Sequence, residues 1–410
     1  MSGEIQKMKP ELTLPEVYTA ARRLKGVIHR TLLDHSHTFS SITGCETYLK
    51  LENLQKTGSF KIRGAYNKIQ TLTPEERACG VIAASAGNHA QGVAYAAAQA
   101  GIPSVIVMPE HAPLAKVVAT KGYGAEVVLA GATYDESYEH ACRLQRERGL
   151  VFVHAFNDPY VMAGQGTIGL EILEDLQDLE AIVVPVGGGG LIAGIALAVK
   201  QVAPHVKVYG VQAAGAPAMH LSKKAGCYQT TECAVTIADG IAVKQPGDLT
   251  YDIVQKYVDD VVVVEDEEIA ETILLLLERS KLMVEGAGAT SLAALLFQKL
   301  SCKGKVAAVL SGGNIDVNFI SQIIEHGLVK SGRRVKILTR IADRPGELSR
   351  LLDRIAQLHG NVMQVFHDRA ERCLPLGQAV VEISLETRDE AHCQSILEDL
   401  TARGYAVERD

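Results

Sequence analysis

The chain has 410 residues, is 47% hydrophobic and carries a formal net charge of -7. That length exceeds one ordinary domain and predicts two or three folded units, each able to bury a core. The charge is spread without long runs of one sign, which excludes a basic footprint for nucleic acid and a polybasic patch for anionic lipid. Small molecules and other protein chains remain as partners.

The opening stretch, MSGEIQKMKPELTLPEV, lacks the apolar core of a signal peptide, and no apolar run is long enough to span a membrane. The expectation is a cytoplasmic protein. Eight cysteines (Cys45, Cys79, Cys142, Cys227, Cys233, Cys302, Cys373, Cys393) are scattered, with no C-x-x-C pair and no histidine spacing of a zinc site. They read as reduced, mostly buried thiols.

In chain order, the first stretch loaded with chemistry is KTGSFKIRGA, residues 56–65, where Lys56, Lys61 and Arg63 surround Phe60. It is either a solvated loop or a segment that buries a lysine for a purpose. Short apolar runs then recur at 80–85, 103–109, 125–130, 150–156, 181–187, 206–212, 259–265 and 305–313, alternating with helix-like stretches. Continuous rather than alternating hydrophobicity predicts strands buried on both faces, hence parallel sheet flanked by helices, and the α/β class up to about residue 325. Beyond it the rhythm changes. Strand at 335–342, helix within 343–358, strands at 361–369 and 377–388, helix at 389–403 and a short strand at 405–408 give a βαββαβ order, which is ferredoxin-like.

Three stretches end an apolar run in small residues. In VVPVGGGGLIAGIALAVK a strand ends at Val186, Gly187, Gly188, Gly189 and Gly190 follow, and a helix begins. Backbone N–H groups and the positive end of the helix can hold a phosphate there without a cationic side chain. Gly188-x-Gly190-x-x-Ala193 also matches a dinucleotide fingerprint, but the next strand ends in Gln212 where an acidic residue belongs. Monophosphate cofactor, dinucleotide and tight structural turn all stay open. In AASAGNHAQG, Ser85, Ala86, Gly87, Asn88 and His89 precede an alanine-rich helix, either as an N-cap or as a carboxylate receptor. In AAVLSGGNID, Ser311 ends a strand, where its hydroxyl can meet a ring nitrogen or serve a turn.

Together S-F-K-I-R-G, S-A-G-N-H-A-Q-G, G-G-G-G-L and S-G-G-N, in this order, resemble the serine/threonine dehydratases of the fold type II (tryptophan synthase β-like) pyridoxal-phosphate enzymes, over about residues 10–325. The resemblance implies a catalytic part at 1–325 with a smaller subdomain inserted at roughly 55–155. It implies that Lys61 carries pyridoxal phosphate as a Schiff base with Phe60 against its ring, and that Gly187, Gly188, Gly189, Gly190 and Leu191 cradle the phosphate. Asn88 would hydrogen-bond the ring 3-oxygen and Ser311 would face the pyridine nitrogen. Ser85, Ala86, Gly87, Asn88 and His89 would grip the substrate carboxylate. Asn157, Gly240 and Glu285 would line the pocket. The implied reaction is β-elimination of L-threonine to 2-oxobutanoate and ammonia, and of L-serine to pyruvate.

Within that fold type two rivals stand lower. Serine racemases read S-S-G-N where this chain has Ser85-Ala86-Gly87-Asn88, and Ala86 has no proton to give on the opposite face. They also bind a divalent ion through carboxylates just after the position of VKVYG, where this chain has Gln212 and AAGAPA, so no metal is expected. The β-replacing synthases usually lack the I-R-G. An amino-acid sensor with a relic catalytic half would have no reason to keep Lys61, Asn88, the glycines and Ser311 together.

After a linker at 326–334, residues 335–410 resemble an ACT domain, through IADRPGELSRLLDRIAQLHGNVMQV. That implies a small amino-acid effector near Asp343, Arg344, Pro345 and Gly346, with Asn361, and pairing of chains into a dimer or tetramer.

Overall fold

Runs that are apolar on both faces form strands only where helices cover both sides, and that requirement shapes the larger part of the molecule. A computed structural model of the chain describes residues 11–370 and 374–409; the first ten residues, on which the reading of the opening stretch falls, and Cys373 lie outside them. Two units divide between Ile315 and Asp316.

The strands of the first unit are β1 (Leu33–His35), β2 (Glu46–Lys50), β3 (Val81–Ala84), β4 (Ser104–Met108), β5 (Glu126–Leu129), β6 (Val151–Phe152), β7 (Leu179–Pro185), β8 (Lys207–Ala213), β9 (Asp260–Val264) and β10 (Lys305–Val309). They build a six-stranded sheet in the order β1-β2-β10-β7-β8-β9 and a four-stranded sheet in the order β5-β4-β3-β6. Every pairing is parallel except β1 with β2. The small sheet is thus an insertion between β2 and β7. Each sheet has its own core: Ile182, Val184, Ile192, Ile195, Val208 and Val309 belong to one, and Ile62, Val81, Ala83, Val93 and Ile106 to the other.

Register places the site. Val309 pairs with Lys50 and Ala308 with Val183, so β2, β10 and β7 end side by side. The loops leaving them carry residues 51–60, 310–314 and 186–189, and those leaving β3 and β6 carry 85–87 and 153–157. Carboxyl ends of parallel strands are where open α/β sheets bind ligands.

The second unit begins with the helix Val317–Lys330, which takes in residues 326–330 of the stretch read as a linker. Then follow β11 (Arg334–Ala342), the helix Glu347–Gln357, β12 (Asn361–Asp368), β13 (Gln378–Glu386), the helix Glu390–Ala402 and β14 (Glu408–Arg409). The sheet order is β12-β13-β11-β14, all antiparallel. Val335, Ile337, Thr339 and Ile341 are buried on alternate positions of β11, the two-residue period of a sheet with one covered face. The first of the helices after β11 starts at Glu347 rather than in the loop before it, because Gly346 sits at φ +91. The last strand pairs at 408–409, later than the 405–408 expected.

Candidate active site

Lys61 opens the helix Lys61–Gln70 at the end of a loop that is tied down from behind. Phe60 N–H donates to Ser311 O (3.1 Å) and Gly313 N–H to Gly58 O (2.9 Å), so the lysine loop and the 311–314 loop move as one. The Lys61 ammonium donates to the Ala155 carbonyl (3.2 Å) and lies 5.1 Å from the centre of the Phe60 ring. Desolvation lowers its pKa to about 8, against the attraction of Glu285. About a tenth is therefore free amine at pH 7, far more than for an ordinary lysine. Lys56 is instead partly exposed, with Nζ 5.9 Å from the centre of the Tyr95 ring.

Two residues on, Arg63 is fully buried and paired on every side. It donates to both Glu52 oxygens (2.8 and 2.7 Å), to both Glu171 oxygens (2.7 and 2.9 Å) and to Thr167 Oγ1 (3.0 Å). Lys50, also fully buried, donates to Glu171 Oε2 and to the Thr31 carbonyl, each at 2.7 Å. Burial alone would push the guanidinium pKa down; Glu52 and Glu171 outweigh it and raise it. Two cations and two carboxylates cancel, which is how four charges are accommodated out of water. The sequence marked neither carboxylate: Glu171 lies 108 positions from Arg63 and nothing in its surroundings singles it out.

The four-glycine turn leads from β7 into the helix Gly190–Val202, with Gly189 at φ +97. A Cβ at Gly188 would collide with the Phe156 ring, and one at Gly189 would lie 2.7 Å from Met219 Cε. Side chains are excluded by packing, so the turn presents backbone to the pocket. Facing it, residues 154–157 fold around His154, whose Nδ1 accepts from Phe156 N–H (3.2 Å) and Asn157 N–H (2.9 Å). Desolvation lowers the His154 pKa to about 4, so this acceptor is kept neutral. Asn157 is spent on the start of the helix Asp248–Tyr257, donating to Asp248 Oδ1 (2.6 Å) and accepting from Leu249 N–H (3.1 Å).

Of the two readings of the loop after β3, the side-chain N-cap is not formed among the described residues. Ser85 Oγ accepts from Gly87 N–H (3.1 Å), Gly87 precedes the helix Asn88–Ala100, and no side chain caps that helix. Its first N–H groups remain for a ligand. His89 brings only its backbone: the ring is buried, donates to Val153 O (2.8 Å), and desolvation, followed by the Lys61 charge, lowers its pKa to about 3.

Asn88 Nδ2 donates to Glu285 Oε1 (2.6 Å), and Asn88 Oδ1 accepts from Asn314 Nδ2 (2.7 Å), which also donates to the Thr57 carbonyl (2.7 Å). Glu285 stands just before the helix Gly286–Leu296; a Cβ at Gly312 would collide with its Oε1, and one at Gly240 would lie 3.5 Å from it. Burial, and after it Asp239, raise the Glu285 pKa to about 7 against Asn88, Lys116 and Lys61. Ser311 is buried beside them. Gln212 lies away from this chemistry: its Oε1 accepts from His220 N–H (2.8 Å) and its Nε2 is buried without a partner among the described residues.

In the second unit Asp343, Arg344, Pro345 and Gly346 line a cavity of about 400 Å³ with His367 and Arg369, and Arg369 pairs with Asp343 at 3.1 Å. Asn361 is not among them. It opens β12, whose far end carries His367, and it donates to Glu386 (3.0 Å), so strand direction takes it away from the loop.

The first unit fits pyridoxal phosphate on its own observations. A side-chain-free turn at a helix start suits a phosphate, a desolvated lysine suits an aldehyde, and the half-buried Asn88 amide and the buried Ser311 hydroxyl are groups that can pair with a pyridine ring. Residues 24–312 match the family described as pyridoxal-phosphate dependent enzyme. An L-threonine ammonia-lyase of Thermotoga maritima is 58% identical over 397 residues, 97% of this chain and 99% of the relative. A catabolic L-threonine dehydratase of Escherichia coli strain K12 is 46% identical over 315 residues, 76% of this chain and 96% of its own length. The structure of the processed form of threonine deaminase isoform 2 from Solanum lycopersicum superimposes with a TM-score of 0.71 at 36% identity, covering 77% of this chain and 90% of that one.

Proposed function

The chain belongs to the pyridoxal-phosphate dependent enzymes, and we propose that within them it converts L-threonine to 2-oxobutanoate and ammonia, and L-serine to pyruvate and ammonia. The observation that carries this reading is the 58% identity to a named L-threonine ammonia-lyase along nearly the whole of both chains. Bound pyridoxal phosphate supplies an electron sink for the pair left on Cα when its proton departs.

The residues supply the rest. Lys61 holds the cofactor and, once substrate has displaced it, its amine takes the Cα proton; the low pKa supports that role. The backbone of Gly187, Gly188, Gly189, Gly190 and Leu191 holds the phosphate, Phe60 packs against the ring and Asn88 donates to its 3-oxygen. Ser311 would face the ring nitrogen with a neutral hydroxyl, which would not charge that nitrogen as an aspartate would. The loop 85–89 orients the substrate carboxylate through N–H groups other than those of Ser85 and Gly87, which are spent on Val107 O and Ser85 Oγ. Ala86 offers no acid on the opposite face, so racemisation is slow.

Residues 335–410 of the second unit serve as an ACT domain that pairs chains into a dimer or tetramer. Its cavity around Asp343, Arg344, Pro345 and Gly346 takes a small amino acid, whose ammonium and carboxylate suit the Asp343 and Arg369 pair. The test is to give L-threonine and L-serine to cofactor-loaded protein and follow 2-oxo acid, ammonia and D-serine, with and without a panel of free amino acids. Cofactor absorbance without 2-oxo acid would sink the lyase reading; faster D-serine would make the chain a racemase. An unchanged rate with every amino acid would remove the effector.

A further inference from the structure

One buried carboxyl beside Lys61 has no place in that scheme. Glu285 enters a slot walled by Gly312 and Gly240, neither of which has a Cβ to block it. Its Oε1 accepts from Asn88, and its Oε2 takes no hydrogen bond from any described residue. The orientation of Asn88 is forced. The Thr57 carbonyl can only accept, so Asn314 presents its NH₂; Asn314 in turn fixes Oδ1 of Asn88, and the Asn88 NH₂ must then face Glu285. One N–H of Asn88 and one oxygen of Glu285 are left over, on two groups that the 2.6 Å bond joins.

We propose that Glu285 works as an un-ionised carboxylic acid whose O–H is a second donor, beside the Asn88 N–H, to the anionic ring oxygen of the cofactor. This rests on the reading that Asn88 faces that oxygen. An ionised carboxylate there would stand against a like charge in a desolvated slot, and burial disfavours it further. The charged groups that bear on Glu285 are Asp239 on the neighbouring turn, which raises its proton affinity, and Lys116, which pairs with Asp239 at 3.1 Å, and Lys61, which both lower it. Raised to about 7 without cofactor, the carboxyl rises further when the anionic oxygen arrives, so binding takes up a proton and weakens as pH rises above 7.

The experiment measures pyridoxal phosphate dissociation constants from pH 6 to 9 for the native protein and Glu285→Gln. Glutamine accepts from Asn88 and donates through its NH₂ at every pH. The titrations of Lys61 and of the cofactor phosphate are shared, so the ratio of the two constants isolates residue 285. The expected ratio is within twofold of one at pH 6 and reaches about tenfold in favour of glutamine by pH 9. A ratio that stays flat, or weaker binding by glutamine at pH 6, overturns the proposal, since a merely structural role gives no pH dependence. Asn314→Asp, which sets an acceptor against Asn88 Oδ1 and turns the amide over, weakens binding about tenfold at every pH; unchanged binding there overturns the relay even if Glu285→Gln does not fold. Failure of the native protein to bind pyridoxal phosphate would instead refute the cofactor site itself.

Discussion

Lys61 and Arg63 start the same helix two residues apart, and the fold treats their charges in opposite ways. Arg63 is enclosed by Glu52, Glu171 and Thr167 and its guanidinium holds its proton more firmly than in water. Lys61 meets no carboxylate directly among the described residues, and its amine gives its proton up more readily. Burial is common to both; the difference is whether counter-charge arrives with it. One cation is thereby made an anchor and the other a reagent, and the helix start carries the reagent because the anchor holds it still.

The contrast breaks most visibly at Lys61→Ala, for which turnover of L-threonine falls by about a thousandfold or more; retention of a tenth of the native rate would move the reacting amine elsewhere. Glu171→Ala comes next. It strips a carboxylate from both Arg63 and Lys50 and lowers the unfolding free energy by about 3–5 kcal/mol in denaturant titration, whereas a loss below about 1 kcal/mol would class the cluster with surface pairs. The pH dependence sharpens the other arm. Because the Lys61 pKa is lowered to about 8, the apoprotein should capture pyridoxal phosphate faster as pH rises, by about tenfold per unit below 8, and level off above. A rate that climbs unbroken to pH 10 would show an ordinary lysine. Smallest is Lys116→Ala, whose partner Asp239 is largely exposed, with a change of about 0–1 kcal/mol that disappears in high salt.

Much of this could be seen before any fold was described, and the exceptions have physical causes. The eight apolar runs became strands, most of them because double-sided burial leaves a continuous signature; β5 and β6, at the edges of the small sheet, hold no fully buried residue. β1 and β2 escaped it: LDH and ETYLK mix polar and apolar residues, and Lys50 is buried only because Glu171 meets it from a distant helix. Lys61, the glycine turn, Asn88 and Ser311 are brought together at the ends of strands from both sheets. Asn314 sat in the S-G-G-N motif without a role, and its double donation appears only when Thr57 and Asn88 are placed against it. His89 and Asn361 show the converse. His89, inside the loop after β3, turns its ring inward to Val153, and Asn361, a whole helix beyond Gly346, starts a strand at the end remote from the cavity.

The four-glycine turn has one more consequence. If it holds the cofactor phosphate as proposed, that grip resides in peptide N–H groups that cannot be acylated, carbamylated or methylated, and no substitution of a cationic side chain would remove it. Amine-directed reagents would silence Lys61 while leaving the phosphate grip intact. Such a protein would still draw pyridoxal phosphate from solution after losing its chemistry, as a sink rather than a catalyst.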